Sequence, residues 1–410
     1  MSEKRKKPEL LMPGGSLEGL KTAVMYGADA VYIGGEALSL RANAKNFTFP
    51  EMREGIAFAH AHGAMVFVAA NVFARNEDLR PALKYFLLCK NVEPDGLILS
   101  DPGLFSMARE VMPECEIHIS TQANNTNFGT WLFWEKLGAK RVVAARELSL
   151  QELAEIRAQI PEGMEMEAFV HGAMCLSYSG RCLISSFLTG RDANRGECTH
   201  PCRWNYALME ETRPGEYFPV EESEKGTTLY NSKDLCMIDH IPELAEAGLD
   251  SWKVEGRMKT ALYVATVARA YRQAIDDYWE DPELYYRKLP WYQAEVRKCT
   301  TRPFCTGFYF GRPDADAHIY SGKAYEKGAV YLGTVEMDEK GQPFIRQKNK
   351  FFTGEELEVM KPDGRNLPVK VRGIWDEEGN AMDSCPHPEQ ILRVDLGISL
   401  EEYDILRKVE

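Results

Sequence analysis

The chain has 410 residues, 44% of them hydrophobic and 27% charged, the balance of a soluble globular protein and not of a disordered or fibrous one. Its 62 acidic residues outnumber 49 basic ones for a net charge of -13, which argues against a protein that holds nucleic acid by bulk electrostatics. The basic N-terminus is broken at Pro13-Gly-Gly-Ser and no stretch reaches the ~20 apolar residues of a membrane span, so a cytoplasmic location, no membrane contact and reduced thiols are expected.

Eight short apolar runs are separated by longer helix-like stretches: Leu10–Met12, Ala30–Ile33, Met65–Ala69, Leu97–Leu99, Ile117–Ile119, Arg141–Ala145, Met166–Val170 and Ser251–Val254. Amphipathic segments such as Leu17–Tyr26 and Leu150–Gln159 lie between them. The second opens with Ser149 as N-cap and Glu152 three residues on, a capping box. Strand and helix in alternation make βαβ units, and eight of them predict an α/β fold, a (β/α)8 TIM-like barrel. An open doubly wound sheet is the alternative, but no G-x-G-x-x-G follows the first run.

In such a barrel the residues past the C-terminal strand ends form the active face. Here they are Gly34-Gly35-Glu36, Asn71, Ser100-Asp101, Thr121-Gln122, Arg146-Glu147, His171 and Glu255-Gly-Arg257, a polar mouth. The spacing breaks once, after the seventh run, where a cysteine-rich insertion over 172–240 emerges on that same face. The barrel domain is expected over 1–290. From Phe304 the pattern turns to short alternating strands, Gly307–Gly311, Tyr331–Val335, Glu355–Met360, Leu367–Val371 and Ile391–Val394, which predict a small C-terminal β-barrel domain over 300–410. Its basic segment Arg346–Lys350, followed by Phe351 and Phe352, reads either as a solvated hairpin or as an RNA contact.

Five of the ten cysteines sit in the insertion: Cys175, Cys182, Cys198, Cys202 and Cys236. They form neither paired C-x2-C zinc knuckles nor the C-x2-C-x2-C run of ferredoxins, but thiolates gathered by one loop suit an iron-sulfur cluster or zinc. Buried small hydrophobes, or a thiol nucleophile with His171 or His200 as base, are the competing readings. Cys89, Cys115, Cys299, Cys305 and Cys385 are assigned to packing. Arg181, Arg191, Arg195 and Arg203 make this neighbourhood mildly positive within an acidic chain.

The stretch Glu167-Ala-Phe-Val-His-Gly-Ala-Met-Cys175-Leu-Ser-Tyr-Ser-Gly-Arg-Cys182-Leu-Ile-Ser185 resembles the signature of the collagenase-like peptidase family U-32. The resemblance extends to Pro13-Gly-Gly, Gly27–Gly34, Ser120-Thr-Gln, Gly190–Gly196, Asn231–Cys236 and Lys253–Met258, so it is near full length. Beyond the peptidase label, the resemblance implies oxygen-independent hydroxylation with a [4Fe-4S] cluster, for which zinc substitutes in aerobic preparations. One barrel with a short β-tail is most similar to the branch acting on C5 of the tRNA wobble uridine, with prephenate as oxygen source. A peptidase, or hydroxylation of rRNA or of a quinone precursor, are the alternatives. The partners implied are a transiently bound tRNA, prephenate or a similar small dicarboxylate, and an electron donor left open.

Carried over, the ligands are Cys175, Cys182, Cys198 and Cys236, with Cys202 able to exchange with one of the last two. Recognition of a dicarboxylate calls for planar bidentate donors. Arg41, Arg146 and Arg257 are the substrate-binding candidates, and Asn71, Gln122 and His171 the orienting or proton-transferring ones. Salt bridges of Arg146 with Glu147, or Arg257 with Glu255, are the structural alternative.

Overall fold

A computed structural model of the chain describes residues 6–39, 46–174, 184–191, 197–199, 201, 222–223, 226–227, 232–311 and 325–410. Eight parallel strands close into a barrel. They are β1 (Glu9–Pro13), β2 (Ala30–Gly34), β3 (Met65–Ala70), β4 (Gly96–Leu99), β5 (Glu116–Ile119), β6 (Arg141–Val143), β7 (Glu165–Ala173) and β8 (Ser251–Val254). Each pairs with the next, and closure comes from β8 bonding β7 on one side and β1 on the other, through Ser251↔Glu167 and Leu10↔Trp252. All eight expected strands are present. They are apolar on the helix-facing side, and most inward positions of β1–β4 are apolar too, because both faces are covered.

Alternation divides each strand between two environments. Leu10, Met12, Val31, Ile33, Val66 and Val68 face the surrounding helices, while Leu11, Ala30, Tyr32, Phe67, Ala69 and Ile98 form a separate cluster within the barrel. The helices carry their own start signals. Helix α1 (Leu17–Met25) is capped by Ser16, α2 (Phe49–Ala61) by a Thr48/Glu51 capping box, and the helix Leu150–Gln159 by the expected Ser149/Glu152 box.

The C-terminal part is an eight-stranded antiparallel sheet running in the order 366–370, 356–360, 405–409, 329–337, 343–347, 391–395, 373–375 and 381–382. Leu332, Val335, Ile345, Val359, Leu392 and Leu406 belong to a core of its own. Residues Gly307–Gly311, expected as a strand, form a turn instead, because Gly307 and Gly311 take positive φ of 57° and 125°. Within the basic segment, Arg346 is taken up by Glu336 at 2.6 Å and Lys348 by Glu389 at 2.9 Å.

The sheet is locked to the barrel by a buried ion cluster. Arg407 from the last strand and Arg269 from the long helix Ala261–Glu280 converge on Glu295 of the following helix Pro282–Val296, with Arg407 at 2.7 Å. Burial alone would raise the Glu295 carboxyl, but Arg407 and Arg269 outweigh it and hold it down at about 2. Glu295→Gln is expected to cost about 3–5 kcal/mol, read in urea unfolding, because it takes the carboxylate partner from buried Arg269 and leaves Arg407 with Glu358 alone. A depressed carboxyl contributes stability that is complete above its unfolded value and is lost on acidification. The wild-type chain should therefore lose stability more steeply than the variant between the ordinary 4.5 and about 2.

Candidate active site

The interior of the barrel is polar at its base. Residues spaced by two along β8 and its continuation, Ser251, Lys253, Glu255 and Arg257, run from the base to the mouth. At the base, Arg141 reaches Glu9 at 2.6 Å, Glu165 at 2.7 Å and Glu167 at 3.1 Å, and Ser251 donates to Glu9 at 2.8 Å. Lys253 donates to the other oxygen of Glu167 at 2.7 Å. Glu167 is 0% exposed. Burial would raise its carboxyl, but Lys253 and Arg141 prevail and keep it below the usual range. His118, buried and beside Arg141, is driven well below its ordinary value and stays neutral.

Above this network lies a cavity of about 80 Å³ at the C-terminal mouth. Four expected site residues line it: Asn71, Gln122, Arg146 and Arg257. Asn71 donates from Nδ2 to the Ser120 hydroxyl at 3.4 Å, and the Gln122 backbone N–H donates to the same oxygen at 3.3 Å. Arg146 stacks on the Phe169 ring at 3.9 Å and lies 3.7 Å from Glu255, while its charge also acts on the adjacent Glu147. Arg257 donates to Ser39 Oγ at 2.8 Å and to Asn46 Oδ1 at 2.9 Å. Gly34 makes room for it, since a Cβ there would land on the guanidinium. Arg41 lies outside the described residues.

His171 is not in the mouth. The β7–β8 register shifts by one residue between Lys253 and Val254, and Gly172 takes φ of 106°, so His171 departs from the inward alternation. Its ring packs against Tyr263, Tyr271 and Phe304. Burial, with Lys259 adding to it, lowers its value to about 3, a neutral imidazole. Lys253 went unnoticed in the sequence because it falls inside a strand-like run. A lysine within a doubly covered strand was the available signal.

The insertion leaves and returns at one place. The end of β7 pairs antiparallel with the strand Asp234–Cys236 through Ala173↔Asp234 and His171↔Cys236. Cys175 follows Met174 directly, so the flanks of Cys175 and Cys236 are side by side. A second clamp joins the flanks of Cys182 and Cys198: the Thr199 N–H donates to Ser185 Oγ at 3.1 Å, and the two hydroxyls lie 3.0 Å apart. Cys175, Cys182 and Cys202 themselves lie outside the described residues. Among the described residues no three His, Cys, Asp or Glu side chains gather as a metal site. Of the five insertion cysteines, only Cys198 and Cys236 lie among the described residues. Of the cysteines assigned to packing, Cys89, Cys299 and Cys385 are buried and Cys115 and Cys305 half-buried.

Peptidase family U32 matches residues 15–319, and the Peptidase family U32 C-terminal domain matches 327–407. The chain belongs to the U32 family. Among its U32 relatives, tRNA hydroxylation protein P1 of Bacillus subtilis is 40% identical over 98% of this chain and 95% of its own length. tRNA hydroxylation protein P of Escherichia coli is 36% identical over 93% and 92%. The 23S rRNA 5-hydroxycytidine C2501 synthase of Escherichia coli is 35% identical over 65% of this chain and 39% of its own. In this U32 chain no helix of the described residues is long and apolar enough to cross a membrane.

A Gly34→Ala substitution tests the packing of the mouth. Overpacking against Arg257 should cost about 1–3 kcal/mol in denaturant unfolding. Combining it with Arg257→Ala should cost less than the two single losses summed, since only the contact with Ser39 Oγ then remains of the clash. Strict additivity would place Arg257 elsewhere.

Proposed function

We propose that this chain hydroxylates tRNA without oxygen gas, at C5 of the wobble uridine, with prephenate or a similar small dicarboxylate as oxygen source. The observation that carries the reading is the near-complete, two-domain correspondence with proteins named for tRNA hydroxylation, 98% of this chain against 95% of one of them. Hydroxylation of rRNA is a weaker reading, since the rRNA synthase is matched over only 39% of its length.

In this reading Cys175, Cys182, Cys198 and Cys236 hold a [4Fe-4S] cluster, Cys202 being the exchangeable fifth candidate. When bound, such a cluster would supply electrons, from a donor yet to be identified, or a Lewis-acid iron. The chain's own residues do the rest. Arg146 and Arg257, with Arg41 as a third candidate, present guanidinium forks to carboxylates. Asn71 and Gln122 orient the reactant, and Phe169 and Tyr32 line the cavity beside them. The proton-transfer role expected of His171 is left out, because its neutral ring lies away from the mouth.

Protein purified without oxygen is expected to carry about four irons and four sulfides per chain, lost in Cys182→Ala. Aerobic preparations should carry zinc or depleted iron. Metal-free wild-type protein that cleaves gelatin would return the peptidase reading to first place.

A further inference from the structure

Lys253 is 4% exposed and lines the mouth cavity, yet the interior network does not use all of its donors. An ammonium has three N–H bonds. One goes to Glu167 at 2.7 Å. No second polar partner within hydrogen-bond reach is found among the described residues. Its other close neighbours are the faces of Tyr32 at 4.6 Å and Phe169 at 5.5 Å, two rings that also line the cavity. Leaving buried donors unsatisfied is costly unless something else accepts from them.

At the base Glu9, Glu165 and Glu167 meet Arg141 and Lys253, with Lys140 beside Glu165 at 3.4 Å and His118 neutral, so carboxylates and cations are matched there. The cavity above carries an excess of cations, with Lys253, Arg146 and Arg257 against Glu255. We propose that Lys253 is the floor of an oxyanion site, its free N–H bonds receiving a carboxylate oxygen of the small reactant while Glu167 holds the ammonium from below. This rests on the reading above for the reaction, but not for the site. Arg146 and Arg257 grip the ligand at the rim, and Lys253 sets how deep it enters.

The test uses anaerobically prepared full-length protein and calorimetric titration with prephenate, malonate and succinate, for wild type, Lys253→Met and the double variant Lys253→Met/Glu167→Gln. The double variant guards against misfolding, since it removes the lysine together with the charge it neutralises. Wild type should bind at least one of the three, and both variants should bind it at least tenfold more weakly while retaining their iron and their affinity for tRNA. Equal binding by wild type and a folded variant overturns the role of Lys253. If wild type binds none of the three, the oxyanion site falls, while tRNA hydroxylation is judged separately by nucleoside analysis. Weakened tRNA affinity in a folded variant would also overturn the proposal, since it would place Lys253 on the RNA side.

Discussion

The arrangement of the mouth depends on one carboxylate. Glu167 has no exposure to solvent and divides its two oxygens between Arg141 across the base and Lys253 on the neighbouring strand. A buried ion is tolerated only when its partners are well placed. Here those partners come from β6 and β8, the strands on either side of β7 at the seam that closes the barrel. Because β8 enters that seam in fixed register, its inward residues beyond Lys253 follow in order, and Glu255 and Arg257 are delivered to the rim. The same seam contains the one-residue shift that removes His171 from the interior and aligns the end of β7 with the return strand of the insertion. Base, mouth and cysteine segment are thus consequences of one strand pairing.

The second constraint is the joint with the C-terminal sheet. Glu295, Arg269 and Arg407 form a buried triad spanning two helices and a strand far apart in sequence. Tyr26, at the end of α1, donates across the same joint to the backbone oxygens of Met360 and Tyr403 at 2.9 and 2.8 Å. These contacts fix the sheet against the barrel's outer helices. They leave the mouth to the barrel and the insertion, and give the sheet a structural task that needs no contact with the reactant.

Much of the fold was legible because parallel strands covered on both faces are mostly apolar, and because helices announce their starts with Ser149/Glu152 or Thr48/Glu51 boxes. Mouth positions followed from the barrel rule, and Asn71, Gln122, Arg146 and Arg257 do line one cavity. What stayed hidden was whatever depends on pairing across the sheet. Glu9 and Arg141 are 132 residues apart, and nothing local marks them as partners. Lys253 lies within the run Ser251–Val254, and its counter-charge sits 86 residues earlier. His171 was misplaced because a bulge is set by the neighbouring strand, not by the residues that carry it. Gly307 and Gly311 bounded an apolar run that looked extended, and their positive φ made it a turn.

The central claim is tested most directly by mass-spectrometric nucleoside analysis of tRNA from cells whose U32 genes have all been deleted and this one restored. The account predicts that wobble nucleosides built on 5-hydroxyuridine are absent from the deletion strain and return with the wild-type gene. A deletion strain with unchanged wobble nucleosides, or restoration that leaves them absent, would contradict it.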